Sequence, residues 1–197
     1  MRNALLVGER VYLRPLEVSD SRIASEMDHV EDSSEMYGVG RMPVSPLGYA
    51  VEYQSESTSP PDWFALAICR CDTDEYIGEV SIGNLDWLNR TGETGSYLRA
   101  DGPYRGHGYG TEAKLLLLEC CFEWLDLHVI QSRVFEKNVR STAALLKQGY
   151  QPAGRLKWCS TKGGVYYDNL LFDITRDEWR AARAGAAARS GHRRSAP

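Results

Sequence analysis

The segment Tyr104-Arg105-Gly106-His107-Gly108-Tyr109-Gly110-Thr111-Glu112-Ala113 concentrates the chemistry of this 197-residue chain. Glycines at alternate positions let backbone N–H groups converge without a Cβ in the way. Directly behind them an apolar periodicity opens a helix, whose first turn carries unpaired N–H groups and a partial positive charge. Together these make a cradle for a phosphate or pyrophosphate, and Arg105 can add a charge-assisted contact. A P-loop would continue Gly-Lys-Ser/Thr, whereas Gly110 is followed by Thr111-Glu112. A dinucleotide fingerprint needs a third glycine where Thr111 or Ala113 stands, and it belongs to an opening βα unit rather than a late turn. Neither nucleotide pattern fits.

The elements that must hold this loop are legible from periodicity. Residues 10–16 alternate and read as a strand, with a helix N-cap at Ser19-Asp20 behind it. Ser21 to Gln54 reads as two short helices around a loop broken by Gly38, Gly40, Pro43 and Pro46, and Ser55–Pro61 as a surface loop. A meander follows, with strands at Trp63–Cys71, Tyr76–Asn84 and Thr94–Ala100. From Gly110 to Leu127 the period becomes helical, through Ala113, Leu116, Leu117, Cys120, Cys121, Trp124 and Leu125. A strand at Val129–Phe135 leads to a helix from Ser141 to Gln148, stopped by Gly149. Val165–Thr175 is a further strand, partnered near Gly154–Cys159. The order predicts an α/β fold, a mixed sheet flanked by helices, in one domain over residues 1–183. Residues 184–197, rich in Ala, Arg, Ser and Gly, read as a disordered tail.

Composition narrows the function classes. The net charge is −4, yet the stretch from Arg180 onward holds five Arg and no acid, so the body is more acidic than the total suggests. An acidic body argues against nucleic-acid partners and suits a cationic amine. The odd set Cys69, Cys71, Cys120, Cys121 and Cys159, without a signal-peptide pattern, predicts reduced thiols in the cytoplasm. Cys69-Arg70-Cys71 lacks a second ligand pair at zinc spacing, so no metal is expected. No apolar run has the roughly 20 residues of a membrane span.

Arg105-x-x-Gly108-x-Gly110 resembles the R/Q-x-x-G-x-G/A signature of the GNAT superfamily of N-acetyltransferases, and the resemblance extends from Arg10 to about Trp179. It is to the RimJ/RimL-like branch, which acetylates ribosomal proteins, and to the spermidine acetyltransferases. It rests also on Leu13-Arg14-Pro15-Leu16, Gly108-Tyr109-Gly110-Thr111-Glu112-Ala113, Asn138-Val139-Arg140-Ser141, Lys147-Gln148-Gly149-Tyr150 and Asp168…Asp177-Glu178-Trp179. It implies acetyl-CoA as co-substrate and a primary amine as acceptor, either a protein or peptide N-terminus or a small amine such as a polyamine or antibiotic. It further implies direct transfer in a ternary complex without an acyl-enzyme, splayed strands around the cofactor, and a homodimer as one assembly common among such proteins. A non-catalytic CoA-binding module of the same fold is the alternative.

Residue roles follow from the same resemblance. Arg105, Gly106, His107, Gly108, Tyr109, Gly110 and Thr111 would hold the pyrophosphate, His107 through its backbone N–H. Backbone groups of Leu98, Arg99 and Ala100 would meet the pantetheine arm and acetyl carbonyl, and Asn138 the arm near the sulfur, although an Asn after a strand also suits a plain turn. Many such enzymes carry an acid Tyr seven residues after this Asn, and Leu145 stands there instead. Ser141 matches the hydroxyl used in the RimL-like branch, and it equally suits the N-cap of its helix. The usual base position falls on Gly95; Glu93, two residues earlier, points to the same face. Asp86 and Glu79 are rivals, acting directly or through water. Glu112 reads as a carboxylate complementing its helix dipole, and Tyr37, Trp87 and Tyr97 as core or acceptor-pocket aromatics.

Overall fold

The computed structural model describes residues 1–30, 45–54, 60–100, 102–162 and 164–193. Eight strands form one sheet in the order β1-β2-β3-β4-β5-β6-β8-β7. They are β1 (Leu6–Val7), β2 (Val11–Pro15), β3 (Phe64–Arg70), β4 (Tyr76–Asp86), β5 (Thr91–Leu98), β6 (Val129–Phe135), β7 (Gln151–Lys162) and β8 (Val165–Thr175). All neighbours are antiparallel except β5 and β6. Five α-helices lie among the described residues: α1 (Ser21–Val30), α2 (Pro46–Gln54), α3 (Tyr109–Glu119), α4 (Val139–Gln148) and α5 (Arg176–Arg193). The α/β fold with a mixed, mostly antiparallel sheet is the one the sequence predicts.

The two faces of the sheet are built by alternation. On β2 and β3, Val11, Leu13, Leu66 and Ile68 join the main core beneath α3, with Ala113, Leu117 and Leu118, and α5 contributes Trp179. The intervening Tyr12, Ala67 and Cys69 form a second cluster with Met27 of α1. A strand covered on both faces cannot show polar–apolar alternation, which is why β3 reads as a continuous apolar run. Between β2 and α1, Arg14 grips Asp20 with two contacts of 2.7 and 2.8 Å, both side chains buried. Asp20 also accepts the Glu17 N–H, which fixes the turn into α1. Arg14 of the opening motif thus orients the turn from β2 into α1.

Several boundaries differ from expectation. β5 begins at Thr91, inside the predicted turn, and ends at Leu98. The predicted helix to Leu127 is α-helical only to Glu119; Cys120–Trp124 is a π-helical turn, with the Leu125 N–H on the Cys120 carbonyl. The extra residue per turn rotates the helix, so Trp124, expected to be inward, is exposed. α4 starts two residues earlier than predicted, at Val139. α5 reaches Arg193, into the segment expected to be a tail; its Arg180 and Arg183 pair with Glu123 and Glu119 at 3.0 and 2.9 Å. The loop expected between α1 and α2, including Tyr37, and most of Ser55–Pro61 lie outside the described residues.

Candidate acyl-transfer site

β5 and β6 pair only through Thr91–Glu93 and Val129–Gln131. Beyond that they diverge, and side chains close the base of the gap. Ser132 Oγ donates to the Thr94 carbonyl at 3.1 Å, and the Thr94 and Tyr150 hydroxyls meet at 2.8 Å. The register of β4 on β5 decides what faces the gap. The Arg99 N–H goes to Ile77 O at 3.0 Å, which makes Gly78 and Leu98 a non-hydrogen-bonded pair. Alternation then turns the N–H groups of Leu98 and Ser96 away from β4, into the gap. Of the three backbone groups expected there, Leu98 is oriented inward and Arg99 is committed to β4. Ser96 is one that sequence reasoning passed over.

The glycine turn sits at the open end of this gap, where β5 hands over to α3. Gly106 and Gly108 have φ of +80° and +86°, a region costly to side chains. Gly108 is the residue before α3, so the free N–H groups of Tyr109, Gly110 and Thr111 form the helix start. Arg10 pins the turn: its guanidinium donates to His107 O at 2.6 Å and pairs with Glu112 at 3.0 Å, and Glu112 also accepts the Arg10 N–H. The His107 ring is folded against the Arg105 carbonyl at 2.9 Å. Arg105 itself reaches back to Leu98 O at 3.0 and 2.5 Å, bracing the strand end. The turn and the divergent strands fit a diphosphate with an amide-bearing arm: convergent N–H groups for the one and unpaired strand N–H groups for the other.

A cavity of about 240 Å³ occupies the gap, lined by residues that include Glu93, Ser96, Asn138, Ser141, Gln148 and Lys114. Asn138 is the N-cap of α4, its Oδ1 accepting the Ser141 N–H at 3.0 Å. The cap predicted at Ser141 is therefore supplied three residues earlier. The Ser141 hydroxyl has no protein partner among the described residues and borders the cavity. Glu93 lies on the α1 face of β5, within 3.5 Å of Arg133 and hydrogen-bonded by Asn84 at 3.3 Å. On the same face Glu79, opposite Tyr97 in the register, accepts the Tyr53 hydroxyl at 2.6 Å and the Tyr76 hydroxyl. Burial raises the Glu79 carboxyl above the usual range, against those two hydrogen bonds. Asp86 instead caps its own turn, bound by the N–H and side chain of Asn89, away from Glu79.

Lys114 was not singled out in the sequence, where a lysine on a helix reads as a solvated charge. Here it is 2% exposed, and desolvation pulls its ammonium down to about 7. The signal was its spacing: Leu117, Leu118 and Cys121 lie three, four and seven residues on, along one face. The cluster Tyr53–Glu79–Tyr76 gave no local sequence signal, because it joins a helix to the middle of the meander. All five cysteines are free thiols. Among the described residues no group of His, Cys, Asp and Glu is arranged to hold a metal ion, and no helix is long and apolar enough to cross a membrane.

An open mixed sheet parted at one parallel pair, with a glycine turn and helix start at the parting, places an anion-binding turn at the mouth of a cleft, and it is this site rather than the fold that bears on chemistry. A sequence model described as "Acetyltransferase (GNAT) domain" matches residues 10–151, and the chain belongs to that family. It is an N-acetyltransferase by that membership and by its relatives. "Probable N-acetyltransferase YjcK" of Bacillus subtilis is 27% identical over 86% of this chain and 96% of its own length. The uncharacterized N-acetyltransferase YokL of the same organism is 32% identical, but that match spans only half of this chain and 55% of YokL. Among solved structures, Mycobacterium smegmatis RimJ in complex with CoA-disulfide superposes with a TM-score of 0.77 at 25% identity, covering 90% of this chain and 88% of that one. Spermidine N-acetyltransferase from Vibrio cholerae, in complex with CoA and spermine, gives 0.76 at 18% identity over 86% and 97%, a likeness of fold.

Proposed function

We propose that the chain moves an acetyl group from acetyl-CoA to a primary amine by direct attack in a ternary complex, with residues 1–183 as the working unit. The observation that carries this reading is the parting of β5 from β6 directly beneath the glycine turn. Acetyl-CoA bound there would supply an activated thioester and leave as the CoA thiol. The N–H groups of Gly106 to Thr111 hold its diphosphate, and Arg105 braces the strand end that the arm follows. Leu98 and Ser96 turn N–H groups toward the arm and the acyl oxygen, where fixed donors stabilise developing negative charge. Asn138, with its oxygen used as a cap, keeps its amide N–H₂ for the arm. The Ser141 hydroxyl donates to the departing sulfur, in the place that Leu145 cannot fill.

The acceptor enters from the α1 face, where the carboxylates are. Glu93 borders the gap and takes the amine proton, directly or through a water. Glu79, set between two tyrosines, attracts the cationic part of the acceptor. That arrangement favours a small polycationic amine over a peptide N-terminus. The test is thiol release from acetyl-CoA across polyamines, aminoglycosides and peptide N-termini. Turnover with at least one amine is expected. CoA binding with no turnover on any amine would instead mark a binding module that has lost its acid.

A further inference from the structure

Two buried residues line the cavity with polar tips that the described protein does not hydrogen-bond. Lys114 Nζ makes no hydrogen bond or ion pair within the described protein, although the residue is 98% removed from solvent. Gln148, 4% exposed, lines the same cavity, and neither its Oε1 nor its amide N–H₂ is hydrogen-bonded within the described protein. Buried polar groups are nearly always satisfied, and a buried ammonium without a counter-ion is among the costliest exceptions. The groups facing Lys114 do not neutralise it. Glu93 is engaged by Arg133 and Asn84, Cys121 has its thiol pushed up by burial, and the Tyr150 hydroxyl is spent on Thr94. Glu93 acts on Lys114 from beyond ion-pair distance and is shared with Arg133, so the ammonium has no carboxylate of its own in the cavity.

Topology places this charge on the inner side of the cavity. α3 and α4 both run back from the open end of the gap, so Lys114 and Gln148 lie deeper than Asn138 and Ser141, beside Thr94 and Ser132. An acyl chain whose sulfur sits near Asn138 and Ser141 would extend inward toward Lys114. An acetyl group offers no anion to that charge. We infer that the cavity takes CoA thioesters of dicarboxylic acids, of the succinyl or glutaryl type, with Lys114 as counter-ion to the terminal carboxylate and the Gln148 amide N–H₂ as a second donor. This rests on the reading that the gap holds a CoA thioester, and it adds a second donor class to acetyl-CoA. The lowered ammonium value of Lys114 accords with a site whose anion is supplied by a ligand.

Calorimetry of the full chain at pH 6.5 with free CoA, acetyl-CoA, succinyl-CoA and free succinate tests it, alongside Lys114→Met and Gln148→Leu. Succinyl-CoA is expected to bind wild type at least about tenfold tighter than acetyl-CoA, as one charge-assisted contact allows. Lys114→Met should erase that preference while leaving free CoA affinity unchanged, which also reports that the variant is folded. Gln148→Leu should reduce the preference in part. Equal affinity for the two thioesters in wild type, or a preference that survives Lys114→Met, would overturn the assignment. So would binding of free succinate as tight as that of its thioester, since the anion would then need no acyl arm. Failure of free CoA itself to bind would sink the cofactor reading first, a result distinct from loss of the succinyl preference alone.

Discussion

Asn138 and Ser141 are both capping residue types, three positions apart, so sequence alone leaves open which one caps α4. The structure gives the cap to Asn138 and frees the Ser141 hydroxyl. Asn138→Ala is therefore expected to lower stability by about 1 kcal/mol in chemical denaturation. Ser141→Ala should leave stability near wild type and lower kcat by roughly 10–100-fold at unchanged CoA affinity; wild-type kcat would remove Ser141 from the chemistry. Lys114 carries a prediction of its own. Its native value of about 7 lies below the ordinary 10.5, so between those values the unfolded chain binds a proton that the native chain lacks. Stability from this group therefore rises with pH across that window and is lowest below it. Thermal denaturation of Lys114→Met should exceed wild type at pH 6.5, with the difference closing toward pH 10. The glycine turn was legible because positive φ leaves a mark in residue type. Lys114 was not, because a buried lysine and a solvated one are spelled alike.

At the scale of elements, β6 and β8 are found where the sequence puts them: β6 alternates through its middle, and β8 is an apolar and aromatic run, with Leu170, Leu171 and Phe172 in succession. β1 is two residues, too short to show a period. The helical period to Leu127 overruns α3 because apolar residues continue through the π-helical turn, out of phase with the helix before it. α5 has no apolar stripe; what holds it is Trp179 in the core and ion pairs to Glu119 and Glu123, contacts with another element that no local pattern announces. The glycine turn is an element too, tied by Arg10 to the β1–β2 edge. At Gly108 a Cβ would stand 2.8 Å from the Arg10 guanidinium, on a backbone already at φ +86°, whereas Gly106 has open space around it. Gly108→Val is expected to weaken CoA binding at least about tenfold by calorimetry, and Gly106→Ala to do less. Unchanged affinity in Gly108→Val would refute the loop's role in holding the diphosphate.

For the whole molecule, direct transfer needs no thiol, and the cysteines are scattered between core and surface rather than gathered at the gap. Replacing all five by Ala should leave turnover per folded molecule within about an order of magnitude, since no covalent step is removed; a trapped acetyl-cysteine would refute it. The narrow parallel joint between β5 and β6 also bears on how the chain assembles. β1 to β5 zip largely between neighbours in sequence, and β6 to β8 gather separately around α4. The ladder joining them has three residue pairs and can close only after the intervening turn and α3 are in place. Its closure yields little until Leu117 and Leu118 of α3 dock on the core shared by both halves. The slow step of folding is then expected to be the meeting of the two halves of the sheet across one helix. In stopped-flow chevrons, truncating Leu117 or Leu118 should slow refolding, while truncations in the β7–β8 hairpin should mainly hasten unfolding. The opening that receives a ligand in the native state is, in kinetic terms, the seam along which the chain closes last.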